Sequence, residues 1–225
     1  MMMTLFWLLF KGEVGKGWPV IADALSQAAF FIMIAVLFPL AVGPAPDRLA
    51  ELAGALIWIA ALLSAIPAFD RLFIEDMRSG WCEQLLSYGT PLWLYIYAKL
   101  AGWFVLSILP LIGILPFLSI MMGLSLASLP VLALSLSVGV FAMLLLGGLA
   151  AGLSMGARRS AMLLSVLILP LMLPVLIFGV MAVEASIAGQ PAWPHIKLLL
   201  ALCLFFAVIC PPATQFALKS AIEER

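Results

Sequence analysis

Long apolar runs recur along the chain, and short polar segments separate them. Six are long enough to cross a hydrocarbon core about 30 Å thick as helices. They fall at about residues 21–42, 49–69, 99–122, 129–153, 161–183 and 196–218. Pro39 and the Gly43-Pro44 pair close the first, and the uncharged break at 123–128 separates the third from the fourth. The ten-residue alternation of a membrane β-barrel is absent. The pattern predicts an all-α membrane protein with six transmembrane helices, organised as one membrane domain over 1–225. Ahead of the first span, residues 4–17 mix Phe6, Trp7, Leu8 and Phe10 with Lys11, Glu13 and Lys16. Aromatics beside lysines suit an interfacial helix, within 1–18; the plainer alternative is an ordered tail with no role.

One polar segment stands out. Six of the twenty-two Asp, Glu, Lys and Arg residues fall within positions 70–83. Helical spacing over this stretch predicts that Phe69, Phe73 and Met77 share a face and that Arg71 pairs with Glu75 at i, i+4. Gly80 breaks the helix, and Glu83, Gln84, Leu85 and Leu86 begin a second short helix ahead of Pro91. Two short amphipathic helices around a glycine form a hairpin within 70–90. A solvated loop kept out of the bilayer by its charges is the bland alternative. Length and mixed charge favour a docking element for a soluble partner, with apolar anchors for affinity and charges for register. The candidate docking residues are Asp70, Arg71, Phe73, Glu75, Asp76, Arg78, Gly80, Glu83, Gln84 and Leu85.

Composition narrows the class further. Apolar residues make up 66% of the chain and charged residues 10%, and the mean hydropathy is +1.25. A soluble domain of this size could not cover its exterior with so few polar groups. The formal net charge is zero, so nothing electrostatic argues for nucleic acid as a partner. Cys82, Cys203 and Cys210 are not placed for a disulfide. The apolar start is followed by Lys11, Gly12 and Glu13 without a small-residue cleavage site, and is expected to be retained. With the N-terminus inside, Lys11, Lys16, Arg71, Arg78, Lys99, Arg158, Arg159, Lys219 and Arg225 face the cytoplasm, and Arg48 and Lys197 face outward. This asymmetry predicts that both termini and the 70–90 hairpin are cytoplasmic.

The spans themselves carry almost no charge at depth. Asp23 and Glu51 lie close enough to span ends to reach an interface, and Lys99 stands at the inner end of the third span. An ion-coupled transporter needs a polar relay in the membrane, so energy for any work must come from elsewhere. The chain has no P-loop and no His-Glu-x-x-His pattern. His195, beside Trp193 and Pro194, is the single histidine; it is read as a surface residue, with a heme ligand or an intramembrane enzyme as the alternative. Pro110, Pro116, Pro170, Pro174, Pro211 and Pro212 lie within spans as fixed bends or hinges. Gly148 and Gly152 form a GxxxG pair suited to close helix packing, within the chain or across a dimer.

Several short motifs together resemble the heme exporter protein B family. They are Phe38-Pro39-Leu40 with Gly43-Pro44, Ile57-Trp58 with Ala60-Ala61-Leu62-Leu63, Arg71-Leu72-Phe73, Asp76, Gly80, Glu83-Gln84-Leu85, Ala98-Lys99, Leu169-Pro170-Leu171, Pro174 and Ile177-Phe178. The likeness covers essentially the whole chain. It departs at Asp70, where the family commonly has Glu, at Cys82, where it has Leu, and near 87–91, where it has a Pro-Leu-Pro turn. The resemblance implies an ABC-2-type permease fold in the bacterial inner membrane. It implies the non-catalytic membrane subunit of a cytochrome c maturation ABC transporter. This chain would bind no cofactor, ATP would be bound by a cytoplasmic ATPase subunit present in two copies, and heme would be handled by the complex. The implied partners are a second copy of this chain, a heme-handling membrane protein, a small single-span protein, a periplasmic heme chaperone and membrane lipids. The hairpin around Glu75, Asp76, Gly80 and Glu83 would be the coupling element, and its docking residues the coupling residues, moved when ATP hydrolysis drives heme delivery or release of the chaperone. The alternative is a membrane scaffold that assembles the maturation complex without transmitting motion.

Overall fold

A computed structural model describes residues 2–43, 46–156 and 161–223, and every regular element among them is helical. The chain begins with α1 (Met2–Val14), and its long helices are α2 (Trp18–Val42), α3 (Pro46–Phe69), α6 (Leu92–Met121), α7 (Leu129–Gly156), α8 (Ala161–Ile187) and α9 (Trp193–Glu223). Two short helices, α4 (Ile74–Arg78) and α5 (Trp81–Ser87), connect α3 to α6. Six segments among the described residues are long and apolar enough to span a bilayer. The expected number of spans is therefore present.

Their boundaries differ from the apolar pattern in instructive ways. The third span begins at Leu92 rather than at Lys99. Pro91, at φ −66° and ψ 121°, sets the start of this helix. Lys99 thus lies a full two turns inside it, a position the charge can hold only if it is paired. The N-terminal helix ends at Val14, and Gly17, in the left-handed region at φ 75°, turns the chain into α2. Pro39, Pro67, Pro110, Pro116, Pro170, Pro174, Pro211 and Pro212 all lie inside helices. Arg158, Arg159 and Arg225 lie outside the described residues.

Lipid tails are as apolar as leucine, so helices in a bilayer associate through close packing rather than water exclusion. Glycines supply it here. The indole of Trp58, on α3, lies between Gly139 of α7 and Gly179 of α8; a Cβ on either glycine would fall 2.1 or 2.0 Å from the ring. Phe69 occupies the space beside Gly147 in the same way. The GxxxG pair is used within the chain: Gly148 meets Leu100 of α6, and Gly152 meets Thr214 of α9. These contacts fix the helix directions. The ends of α3, α7 and α9 meet the start of α6 at one end of the bundle. At the other, Gly54 faces Val183 and Gly123 faces Ala50. The first end carries Asp23, Arg71, Asp76 and Lys99, and is termed the charged end.

Candidate functional site: a hairpin tied into the bundle by ion pairs

The hairpin begins with a turn at 70–73, not with the helix that the spacing suggested. Only Ile74–Arg78 is helical, with Glu75 and Asp76 in its first turn and Arg78 at its end, the arrangement a helix dipole favours. Gly80, at φ 74° and ψ 13°, ends this helix and starts the next. That backbone is strained for any residue with a Cβ. The predicted break at Gly80 is present.

The expected Arg71–Glu75 pair is not. Because residues 70–73 turn, Arg71 swings away from α4, and its Nη1 donates to Asp23 Oδ1 of α2 at 2.7 Å. The hairpin is thereby tied to the first span. Phe69, Phe73 and Met77 are all buried, with Leu72, Cys82 and Leu85, but the turn at 70–73 means that no single helix face carries the three.

The ten candidate coupling residues divide by direction. Asp70, Arg71, Glu75, Arg78 and Gln84 are exposed, and Gly80 and Glu83 are half-buried. Phe73, Asp76 and Leu85 point into the bundle. Asp76, expected on the docking surface, is 6% exposed.

Its surroundings explain the burial. Lys16 Nζ donates to Asp76 Oδ1 at 2.9 Å and to Glu13 Oε1 at 2.7 Å. Lys99 Nζ donates to Asp76 Oδ2 and, at 3.3 Å, to Glu13 Oε2. Two ammonium groups and two carboxylates thus alternate in a closed ring with no net charge. Tyr95 adds a hydrogen bond from its hydroxyl to Asp76 Oδ2. Lys99 also lies 5.9 Å from the centre of the Phe73 ring and 5.8 Å from that of Tyr95, within cation–π range. The ring joins the end of α1, the turn before α2, α4 and α6. Gly102 makes this possible: a Cβ there would lie 3.0 Å from Glu13 Cβ.

Buried charges are tolerated when paired and saturated with hydrogen bonds, and removing one partner costs about 3–5 kcal/mol. Burial pushes the Lys16 ammonium toward its neutral form, but its hydrogen bonds and charge attraction to Glu13 and Asp76 outweigh that and raise its pKa. Burial, followed by the negative charge of Asp76, pushes the Cys82 thiol up to about 12, so at neutral pH Cys82 is an inert apolar contact.

The sequence pattern placed Glu13 and Lys16 only in an interfacial helix, gave no role to Tyr95, and took Lys99 as a boundary charge. Lys99 was the usable signal: a lysine enclosed by apolar residues of a span implies a buried carboxylate partner. At the opposite end of α9, His195 is half-buried near the helix start, far in sequence from this ring.

Six spans, an amphipathic N-terminal helix and a charged hairpin fastened beneath the bundle define a multi-pass membrane protein of permease type. The family model described as CcmB protein matches residues 5–221, and the chain belongs to that family. Heme exporter protein B of Pseudomonas aeruginosa is 36% identical over 223 residues, 99% of this chain and 100% of the relative. The protein of the same name from Bradyrhizobium diazoefficiens is 34% identical over 222 residues, 98% and 100% of the two chains. That from Haemophilus influenzae is 32% identical over 202 residues, 90% and 91%.

Proposed function

We propose that this chain is the permease subunit of a heme-export ABC transporter serving cytochrome c maturation, and that the α4–α5 hairpin receives the motion of a partner ATPase. The observation that carries this reading is the division of the hairpin. Its outer face presents Asp70, Glu75, Arg78 and Gln84, while Asp76 on its inner face is locked to the end of α1 and to α6 by ion pairs, and exposed Arg71 ties the preceding turn to α2. A force applied to the outer residues reaches α1 and α6 through the ring and α2 through the exposed Asp23–Arg71 pair. Family membership and the full-length likeness to heme exporter B proteins support the same role.

In this reading the charged end faces the cytoplasm of a bacterial inner membrane, with both termini on that side. Two copies pair with two ATPase subunits, which bind the ATP; this chain is non-catalytic and holds no cofactor. Heme is cargo of the wider assembly, which includes a heme-handling membrane protein, a small single-span protein and a periplasmic heme chaperone.

The test is co-purification with the ATPase of the same system, read as stoichiometry and ATP turnover. Charge reversal at the outer face, Glu75→Arg with Arg78→Glu, should release the ATPase while the permease stays folded. Full retention of the ATPase and of its turnover would sink the role assigned to the hairpin.

A further inference from the structure

A second feature of the charged end is independent of the ATPase. Between α2 and α3 a cavity of about 320 Å³ opens beside the Asp23–Arg71 pair. Its lining changes character with depth. Asp23, Gln27, Phe30 and Met33 follow one another down one face of α2, at helical spacing, and Arg71 and Ser64 line it from α3 and the turn beyond. At about 1.5 Å of rise per residue, Met33 lies about 15 Å below Asp23. The mouth is charged and the floor apolar.

Gln27 is the residue that demands an explanation. It is 6% exposed and lines this cavity. Its side-chain amide bonds no described residue. The amide is not sealed off: it opens onto the cavity, where it can both accept from and donate to a bound group. The ion pair at the mouth has groups to spare, with the Arg71 side chain 59% and the Asp23 side chain 27% exposed. Arg71 spends one N–H on Asp23 Oδ1, and its other donors and Asp23 Oδ2 bond no described residue.

We propose that this cavity binds one phosphatidylethanolamine molecule. The ammonium of its headgroup meets the free carboxylate oxygen of Asp23, its phosphate meets the unused donors of Arg71, and its glycerol ester region meets the Gln27 amide. Its acyl chains leave along Phe30 and Met33. The recognition is a match of a zwitterion to a salt bridge with one spare acceptor and several spare donors. A phosphatidylcholine headgroup has the same charges but no N–H to give Asp23. A phosphatidylglycerol headgroup has no cation.

The experiment uses the full chain purified in detergent and exchanged into dioleoyl phosphatidylethanolamine, phosphatidylcholine or phosphatidylglycerol, with retained lipid counted by native mass spectrometry. One tightly held phosphatidylethanolamine per chain is expected, with the other two lipids weaker. Gln27→Leu keeps an apolar side chain in the bilayer and should fold; it is expected to weaken retention about tenfold, the effect of losing hydrogen bonds at a desolvated site. Asp23→Asn should narrow the preference for phosphatidylethanolamine over phosphatidylcholine. Equal retention of the three lipids, or wild-type retention by folded Gln27→Leu, would overturn the assignment. So would displacement of the lipid by soluble phosphoethanolamine, because the acyl contacts would then contribute nothing.

Discussion

The two faces of the α4–α5 hairpin are a few ångströms apart and obey opposite rules. On the outer face, Asp70, Glu75 and Arg78 are solvated, and each is worth little to stability because water already satisfies its charge. On the inner face, Asp76 is surrounded by Lys16, Lys99 and Tyr95 with almost no access to water. There the same kind of carboxylate is costly to disturb. A single helix of five residues thus carries one surface free to change with a partner and one that cannot change without its neighbours.

The largest effect expected from breaking this contrast is at the ring. Asp76→Ala leaves Lys99 buried beside an empty position and should cost about 3–5 kcal/mol, read as a large loss of monodisperse protein and of thermal stability in detergent. The double variant Asp76→Leu/Lys99→Met removes both charges and should recover much of that loss, since the penalty lies in the unpaired charge. Equal damage from single and double variants would mean that the ring is not a balanced electrostatic unit.

Gly102→Leu comes next. The added side chain collides with Glu13 and should free α1 from α6, exposing the Lys11 and Lys16 bonds to trypsin while the six spans stay in place. Unchanged protease resistance would show that α1 is held by something other than this close approach.

Lys16→Met should cost about 1 kcal/mol, because Lys16 is partly solvated and Lys99 still holds Asp76. Its pH dependence sharpens the point. The folded-state pKa of Lys16 is raised, so its contribution is present below the unfolded lysine value of about 10.4 and is lost as pH rises through the folded value. The stability difference between wild type and variant should therefore stay constant from pH 7 to 9 and shrink above about 10.4.

The smallest effect is chemical. Cys82 is fully buried with its pKa pushed up to about 12, so at pH 8 a maleimide should not modify it in the folded chain. Ready labelling would show that the hairpin lifts off the bundle.

The apolar runs determined the helical membrane fold and the number of spans, because only a helix satisfies its own backbone in lipid and about twenty residues are needed to cross. Gly80 likewise announced the hairpin, since a left-handed turn between two short helices favours glycine. The inward residues were not legible. Phe73, Asp76 and Leu85 read as surface in a charged stretch, and only the packing of α1 and α6 against α4 decided that they are interior. The charged partners of Asp76 lie 60 and 23 positions away, and helical periodicity reports only neighbours three or four residues apart. The Arg71 pairing went to Asp23, 48 positions away, for the same reason: a turn replaced the expected helix, and the arginine followed the tertiary contact. Charge content is written locally, but the pairing of charges is settled where distant helices meet.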